Sequence, residues 1–256
     1  ESCSTMPFTL EQERAYRAVQ TGCAWQERTD IGYIEVRGAD RYTWLQGMVS
    51  QDTRLLEAGV LRLPAYFLNA TGHILAELML INVIGAEPYL LLALAKENVP
   101  RTLELLDRFL IMEEVELRDV SGEVICFTLQ GAGVGAFLEA QPLFSSVLPL
   151  PADYTGYGGV EGYLPTERAA KLRSSLESLG IPHIDPMVAE ALRIEAGIPS
   201  YPQELNESVI AMEADNAATH ISFTKGCYVG QEIIARIDSR GHTNRALTGF
   251  ITEEGA

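Results

Sequence analysis

The residues most able to do chemistry lie close together in Lys225-Gly226-Cys227-Tyr228-Val229-Gly230-Gln231-Glu232. A thiol sits between two glycines, with a lysine two residues before it. Glycine tolerates backbone angles and close approaches that other residues do not, so the run reads as a shaped turn or a bulged strand. If it is extended, side chains alternate faces and Lys225 and Cys227 point the same way. A nearby ammonium favours thiolate over thiol, the reactive form. The same residues also read as a small buried thiol on a glycine-rich strand, the commoner role of a free cysteine. Two carboxylates stand out elsewhere. Glu195, in Arg193-Ile194-Glu195-Ala196-Gly197, falls near the end of a helical stretch. Glu77, in Ile74-Leu75-Ala76-Glu77-Leu78-Met79, falls in an alternating run. An ionised carboxylate accepts two parallel hydrogen bonds from a ring N–H and a neighbouring amino group. Otherwise Glu195 is a helix glutamate paired to Arg193, and Glu77 an outward strand residue. Tyr66, Leu68, Leu75, Met79 and Tyr228 could wall a slot for a flat ligand or pack as plain core.

The order of residues 225–232 resembles the YgfZ family of folate-binding proteins, relatives of the glycine-cleavage T-protein, an aminomethyltransferase. The resemblance continues through Ile233–Arg236 and Arg240–Leu247, and through Gly38-Ala39-Asp40, Trp44-Leu45-Gln46-Gly47 and Gln51-Asp52. It implies tetrahydrofolate as cofactor. Glu195 then reads the pterin, with Arg193 beside it. Glu77, Tyr66, Met79 and Tyr228 line the ligand, and Arg236 and Arg240 take tail carboxylates. Cys227 becomes a redox or cluster-handling residue, with Lys225 at its side. The T-protein carries an Asp-Asp pair where this chain has Ala76-Glu77, a departure that speaks against aminomethyl transfer. The implied role is a tetrahydrofolate-binding accessory protein for assembly or repair of iron–sulfur enzymes, including tRNA-modifying ones. Its partners are folate and iron–sulfur client or assembly proteins. The alternative is a folate-dependent aminomethyltransferase or other one-carbon transferase, which leaves enzyme status open.

Bulk properties set limits on these readings. The 256 residues suit two domains or one large one, and 47% hydrophobic with 21% charged is ordinary for a globular protein. Nineteen basic against thirty-five acidic residues give a net charge of −16. That disfavours direct nucleic-acid binding and anionic membrane surfaces. Lys225, Arg236, Arg240 and Arg245 against Glu232 and Asp238 form a small basic island suited to an anionic small ligand. The four cysteines show no C-x-x-C spacing and the histidines no metal-ligand spacing, so no metal site is expected. Scattered cysteines fit a reducing cytoplasm. The start, Glu1 to Leu10, has no signal pattern, and the longest apolar run is too short to span a bilayer.

The elements that must hold these residues follow from periodicity and punctuation. Thr9-Leu10-Glu11-Gln12 predicts a capped helix to about Gln20. Ile31–Val36 predicts a strand, and Asp40 a cap for a short helix. Leu63–Leu68 and His73–Val83 predict a hairpin around Asn69–Gly72. Glu87–Leu94 predicts a strand, Asn98–Phe109 a helix and Met112–Arg118 a closing strand. Val124–Leu129, a helix to Ala140, Gly162–Leu164, a helix capped by Thr166 and a helix over Met187–Ala196 follow. Gly131–Gly135 lacks the spacing and acidic partner of a dinucleotide fingerprint. The expected fold is α+β, a multidomain cloverleaf like the T-protein and YgfZ. Residues 1–55 and 122–205 form a split first domain, and 56–121 with 206–243 a ferredoxin-like second domain. Residues 244–256 begin a C-terminal β-barrel, truncated or missing, with Leu247–Thr252 as its first strand.

Overall fold

The computed structural model describes residues 8–141 and 147–250, apart from the side chain of residue 240. Two compact units emerge, residues 1–29 with 122–198 and residues 30–121 with 199–256.

The first unit is built on a four-stranded antiparallel sheet of order β1-β7-β9-β8. Its strands are β1 (Ala24–Arg28), β7 (Val124–Gln130), β9 (Gly159–Pro165) and β8 (Leu150–Pro151). Helix α1 (Leu10–Thr21) starts in the expected capping box, with Thr9 and Gln12 satisfying each other's backbone N–H groups. Its Ala15 and Val19 pack with Val188 and Leu192 of α7 (Pro186–Glu195). Asp185 caps α7 by accepting from the Val188 amide. Trp25, Phe127, Leu129 and Leu164 pack with Leu172 and Leu176 of α6 (Ala169–Ser178). Helix α5 (Val134–Ala140) follows β7. Thr166 does not cap α6 directly. It opens a 3-10 turn, Thr166–Arg168, that leads into the helix.

The second unit is a five-stranded antiparallel sheet of order β3-β4-β5-β2-β6. It comprises β2 (Ile31–Arg37), β3 (Arg62–Leu68), β4 (Ile74–Val83), β5 (Tyr89–Ala95) and β6 (Glu116–Asp119). β2 lies between β5 and β6, pairing with both. This corrects two expectations. Residues 30–55 belong to the second unit rather than the first, because β6 would otherwise have no neighbour. The sheet is therefore a five-stranded antiparallel one rather than the four-stranded ferredoxin-like arrangement. Residues 199–205 also move to the second unit, where Leu205 is buried against Tyr66 and Leu68.

One face of this sheet (Val36, Leu63, Ala65, Phe67, Ala76, Leu78, Leu80) packs with Trp44 and Leu45 of α2 (Arg41–Met48), Leu56 of α3 (Arg54–Glu57) and Leu106 of α4 (Val99–Asp107). The Asp40 carboxylate makes no cap bond; it accepts from the Glu114 amide instead. The other face carries Tyr66, Leu68 and Ile74. Residues 201–234 cover it, including α8 (Ala217–His220) and the start of α9 (Gln231–Arg240). The register shifts between Phe67 and Leu68, which pair with Ala76 and Ile74, so Leu75 is the extra residue of a β-bulge on β4. The bulge breaks the expected Leu75-Glu77-Met79 face. Ile74 joins Tyr66, while Leu75 packs with the opposite core.

Residues 225–230 form no strand. They turn, and Gly230 sits at φ 83° immediately before α9. Residues 247–250 form no strand either, and the remainder of the expected barrel strand lies outside the described residues. Among the described residues no helix is long and apolar enough to cross a membrane.

Candidate functional site

The glycine-cysteine segment is fastened to the second unit by its lysine. The Lys225 ammonium is buried and donates to the carbonyls of Gln46 (2.7 Å), Val49 (2.7 Å) and Gln51 (2.8 Å). An ammonium has three donors, and all three are used here. Its nitrogen lies 5.0 Å from the centre of the Tyr228 ring, a cation–π contact. Burial pushes Lys225 down to about 8, against the pull of the Asp52 carboxylate. Asp52 itself is held at about 2, chiefly by the Arg54 side chain and against its own burial. The Gln46 side chain braces the same loop, donating to Asp52 and accepting from the Thr53 amide and hydroxyl. Lys225 thus fixes the path of residues 46–51.

The rest of the segment is set by close approaches. The Val229 amide donates to the Gly47 carbonyl and Ser222 to Ser50. A Cβ on Gly230 would lie 2.5 Å from the Asn69 carbonyl oxygen and 3.1 Å from Leu68 Cβ, so only glycine fits against the β3–β4 turn. Tyr228 is buried, and burial raises its hydroxyl to about 12. Cys227 is exposed and forms no disulfide. Of the two readings of this segment, a shaped turn or a bulged strand, the structure has the turn. The lysine is directed inward, so its charge is committed to carbonyls.

Glu77 and Tyr66 are direct cross-strand partners on β4 and β3. Glu77 is part-buried, at 27% side-chain exposure. Its Oε1 lies 3.3 Å from His220 Nε2 and accepts from Asn216 Nδ2 at 3.5 Å. Tyr66 is fully buried, donates its hydroxyl to Asn216 Oδ1 and stacks on the His220 ring at 4.8 Å and 23°. Burial, with the Glu77 charge second, holds the Tyr66 hydroxyl well above its ordinary range. Ala76 faces the other side, fully buried in the helix-packed core.

The remaining expected site residues are placed separately. Glu195 ends α7 in the first unit, exposed, and accepts the Tyr16 hydroxyl at 2.7 Å. That bond, helped by burial, raises Tyr16 to about 12. Arg193 donates to both oxygens of Glu190 and to the Ile198 carbonyl, which fastens the end of α7. Met79 is half-buried on β4 between Pro64 and Ala93. Arg236 is exposed on α9 and pairs with Glu232 one turn away. The Arg240 side chain lies outside the description. No cluster of three metal-ligating side chains occurs among the described residues.

Reading the sequence missed His220, Asn216, Gln46 and Tyr16. His220, Asn216 and Tyr16 act through partners far away in the chain, and His220 looked isolated because its partner carboxylate precedes it by over a hundred residues. Gln46 acts within its own loop, on Asp52 and Thr53.

No protein-family model matches the chain. It is 23% identical to an aminomethyltransferase of Thermoanaerobacter sp. (strain X514), over 92% of this chain and 68% of that one. It is 25% identical to the tRNA-modifying protein YgfZ of Colwellia psychrerythraea, over 86% of this chain and 69% of that one. Among solved structures, the glycine cleavage system aminomethyltransferase T of Bartonella henselae superposes with a TM-score of 0.78, covering 90% of this chain and 67% of that one at 19% identity. The fold is that of the glycine-cleavage T-protein. Within this T-protein fold, the Ala76-Glu77 pair splits across the sheet. One position points into a dry core and the other into the Tyr66–His220 cluster.

Proposed function

We propose that the chain binds tetrahydrofolate and serves as an accessory protein for the assembly or repair of iron–sulfur enzymes, tRNA-modifying enzymes among them. The observation that carries this is Cys227. It stands exposed on a turn whose path is fixed by Lys225 and Gly230, in a chain similar to YgfZ. In this reading Glu77, Tyr66, Met79 and Tyr228 serve folate binding in the second unit, and Cys227 carries the redox or cluster-handling step; Glu195, in the first unit, is a separate candidate acceptor for pterin N–H groups. The Tyr16 bond leaves Glu195 Oε1 and further lone pairs available, as two-pronged recognition requires. Arg193 then acts by holding the helix end, and Arg236 and Arg240 supply positive charge on α9. The net charge of −16 supports a protein partner over direct contact with RNA.

Calorimetric titration with tetrahydrofolate tests the ligand. Glu195→Gln should weaken binding about ten- to a hundredfold, the loss of one charge-assisted pair. Parental affinity in that variant removes Glu195 from the reading. Cys227→Ala should lose iron–sulfur enzyme activity in cells while keeping folate affinity.

A one-carbon or aminomethyl transfer is the second reading, favoured by the aminomethyltransferase relatives and by the braced Glu77 carboxylate. Ala76 weighs against it, because a carboxylate at that position would be buried in the core without a partner.

A further inference from the structure

The cluster around Glu77 contains a histidine that neither reading uses. His220 is over nine-tenths buried, yet both ring nitrogens have polar neighbours. Nε2 faces Glu77 Oε1 at 3.3 Å. Nδ1 faces the Thr219 hydroxyl at 2.9 Å and the Asn216 carbonyl at 3.1 Å. A carboxylate oxygen has no hydrogen to give, so the contact with Glu77 calls for the tautomer with its hydrogen on Nε2. Nδ1 is then bare and accepts from the Thr219 hydroxyl, which also reaches the Asn216 carbonyl. Asn216 Nδ2 approaches the same oxygen, and Asn216 is itself fixed by the Tyr66 hydroxyl. Both contacts fall on Oε1. Oε2 takes no hydrogen bond among the described residues, and the side chain remains a quarter exposed.

We propose that His220 is the positioning residue for Glu77. Its Nε2–H, seconded by Asn216, pins Oε1 so that Oε2 is held for an N–H group of the ligand. This rests on the tetrahydrofolate reading and names how that ligand's amine or amide hydrogens are met in the second unit. The groups facing the ring are Glu77 from β4, Tyr66 from β3, and Thr219 and Asn216 from its own helix. A carboxylate with one oxygen pinned loses less rotamer freedom when it binds, which is the gain expected of such bracing.

Two substitutions separate this role from packing. His220→Phe keeps a flat ring against Tyr66 and deletes the donor. His220→Gln keeps a donor toward Glu77 and deletes the ring. Tetrahydrofolate titrated by calorimetry into the full chain should bind His220→Gln within about threefold of the parent. His220→Phe and Glu77→Gln should each lose about tenfold or more. Adding His220→Phe to Glu77→Gln should cost nothing further, since the histidine acts through the carboxylate. The reverse order, with Phe tolerated and Gln not, makes the ring a packing element and overturns the proposal. Equal loss on His220→Phe in both backgrounds does the same. If His220→Gln fails to fold, the coupling of His220→Phe with Glu77→Gln decides alone; if His220→Phe fails, His220→Leu takes its place in the same cycle. A parent that does not bind tetrahydrofolate removes the folate reading and this one together. A parent that binds without coupling removes only this one.

Discussion

Replacing Lys225 with methionine keeps the length of a buried side chain and deletes its charge. The lysine titrates at about 8 in the fold and at about 10.4 in the unfolded chain. Its folded value is depressed, so the unfolded state binds the proton more tightly. Stability therefore rises with pH from about 8 until the unfolded value is passed, and is lost again as pH falls through about 8. At pH 7 both states are charged and the burial penalty is felt in full. By pH 9 about 1.4 kcal/mol of it is relieved, and by pH 10 about 2.5 kcal/mol. Tyrosines and other lysines also titrate there, but they are shared with Lys225→Met and cancel in the difference. The assay is urea unfolding of both proteins at pH 7, 8, 9 and 10. The parent should gain about 2.5 kcal/mol on the variant over that span. The variant should also be the less stable at pH 10, since the neutral amine of the parent still supplies two N–H donors to the carbonyls and methionine supplies none, at about 1 kcal/mol or more each. A difference that stays flat within about 0.5 kcal/mol refutes the burial of an ionisable Lys225.

Three further outcomes follow from the same unit and its neighbour. Gly230→Ala should destabilise by about 2–4 kcal/mol in thermal or urea unfolding, because a left-handed backbone combines with a Cβ driven into the Asn69 carbonyl. Iodoacetamide should label Cys227 in the folded protein and Cys126 only after denaturation, read by mass spectrometry of peptides; protection of Cys227 would remove the exposed-thiol reading. Asp52→Asn should flatten the acid limb of the stability curve. The carboxylate's contribution is present above about pH 4 and lost as pH falls toward about 2; it is worth about 1–2 kcal/mol after discounting for the exposed Arg54.

Local signals read well where the determining interactions are local. The Thr9 capping box, the alternation of β4 and the helix following Pro100 depend on neighbours within a few residues, and each element forms close to its expected place. β1 was not legible. Ala24-Trp25-Gln26-Glu27-Arg28 has no clean alternation, and it is made a strand by pairing with β7, about a hundred residues on. The placement of β2 was similarly hidden, since a strand's own sequence does not reveal which sheet supplies its neighbours. The bulge at Phe67/Leu68 moved Leu75 off the Glu77 face because alternation carries no record of a register slip. In the site, Glu77, Tyr66 and Tyr228 could be nominated by type and motif. The bracing by His220 and the three carbonyls around Lys225 could not, because backbone acceptors leave no mark in a sequence.

The second unit interrupts the first, and the way it begins and ends bears on how the chain acquires its structure. The Tyr33 amide donates to the Ser121 hydroxyl at 2.9 Å, and the Val120 amide to the Tyr33 carbonyl. The inserted stretch thus leaves close to where it entered. Joining β1 to β7 across an unstructured insert of roughly ninety residues would cost about 4 kcal/mol in loop closure, scaling as (3/2)RT ln n. With residues 30–121 already paired into their sheet, the effective loop shrinks to a few residues and that cost falls by about 3 kcal/mol. The antiparallel sheet of residues 30–121 precedes β7 in the chain, so it can form first, and its formation lowers the entropic cost of pairing β1 with β7.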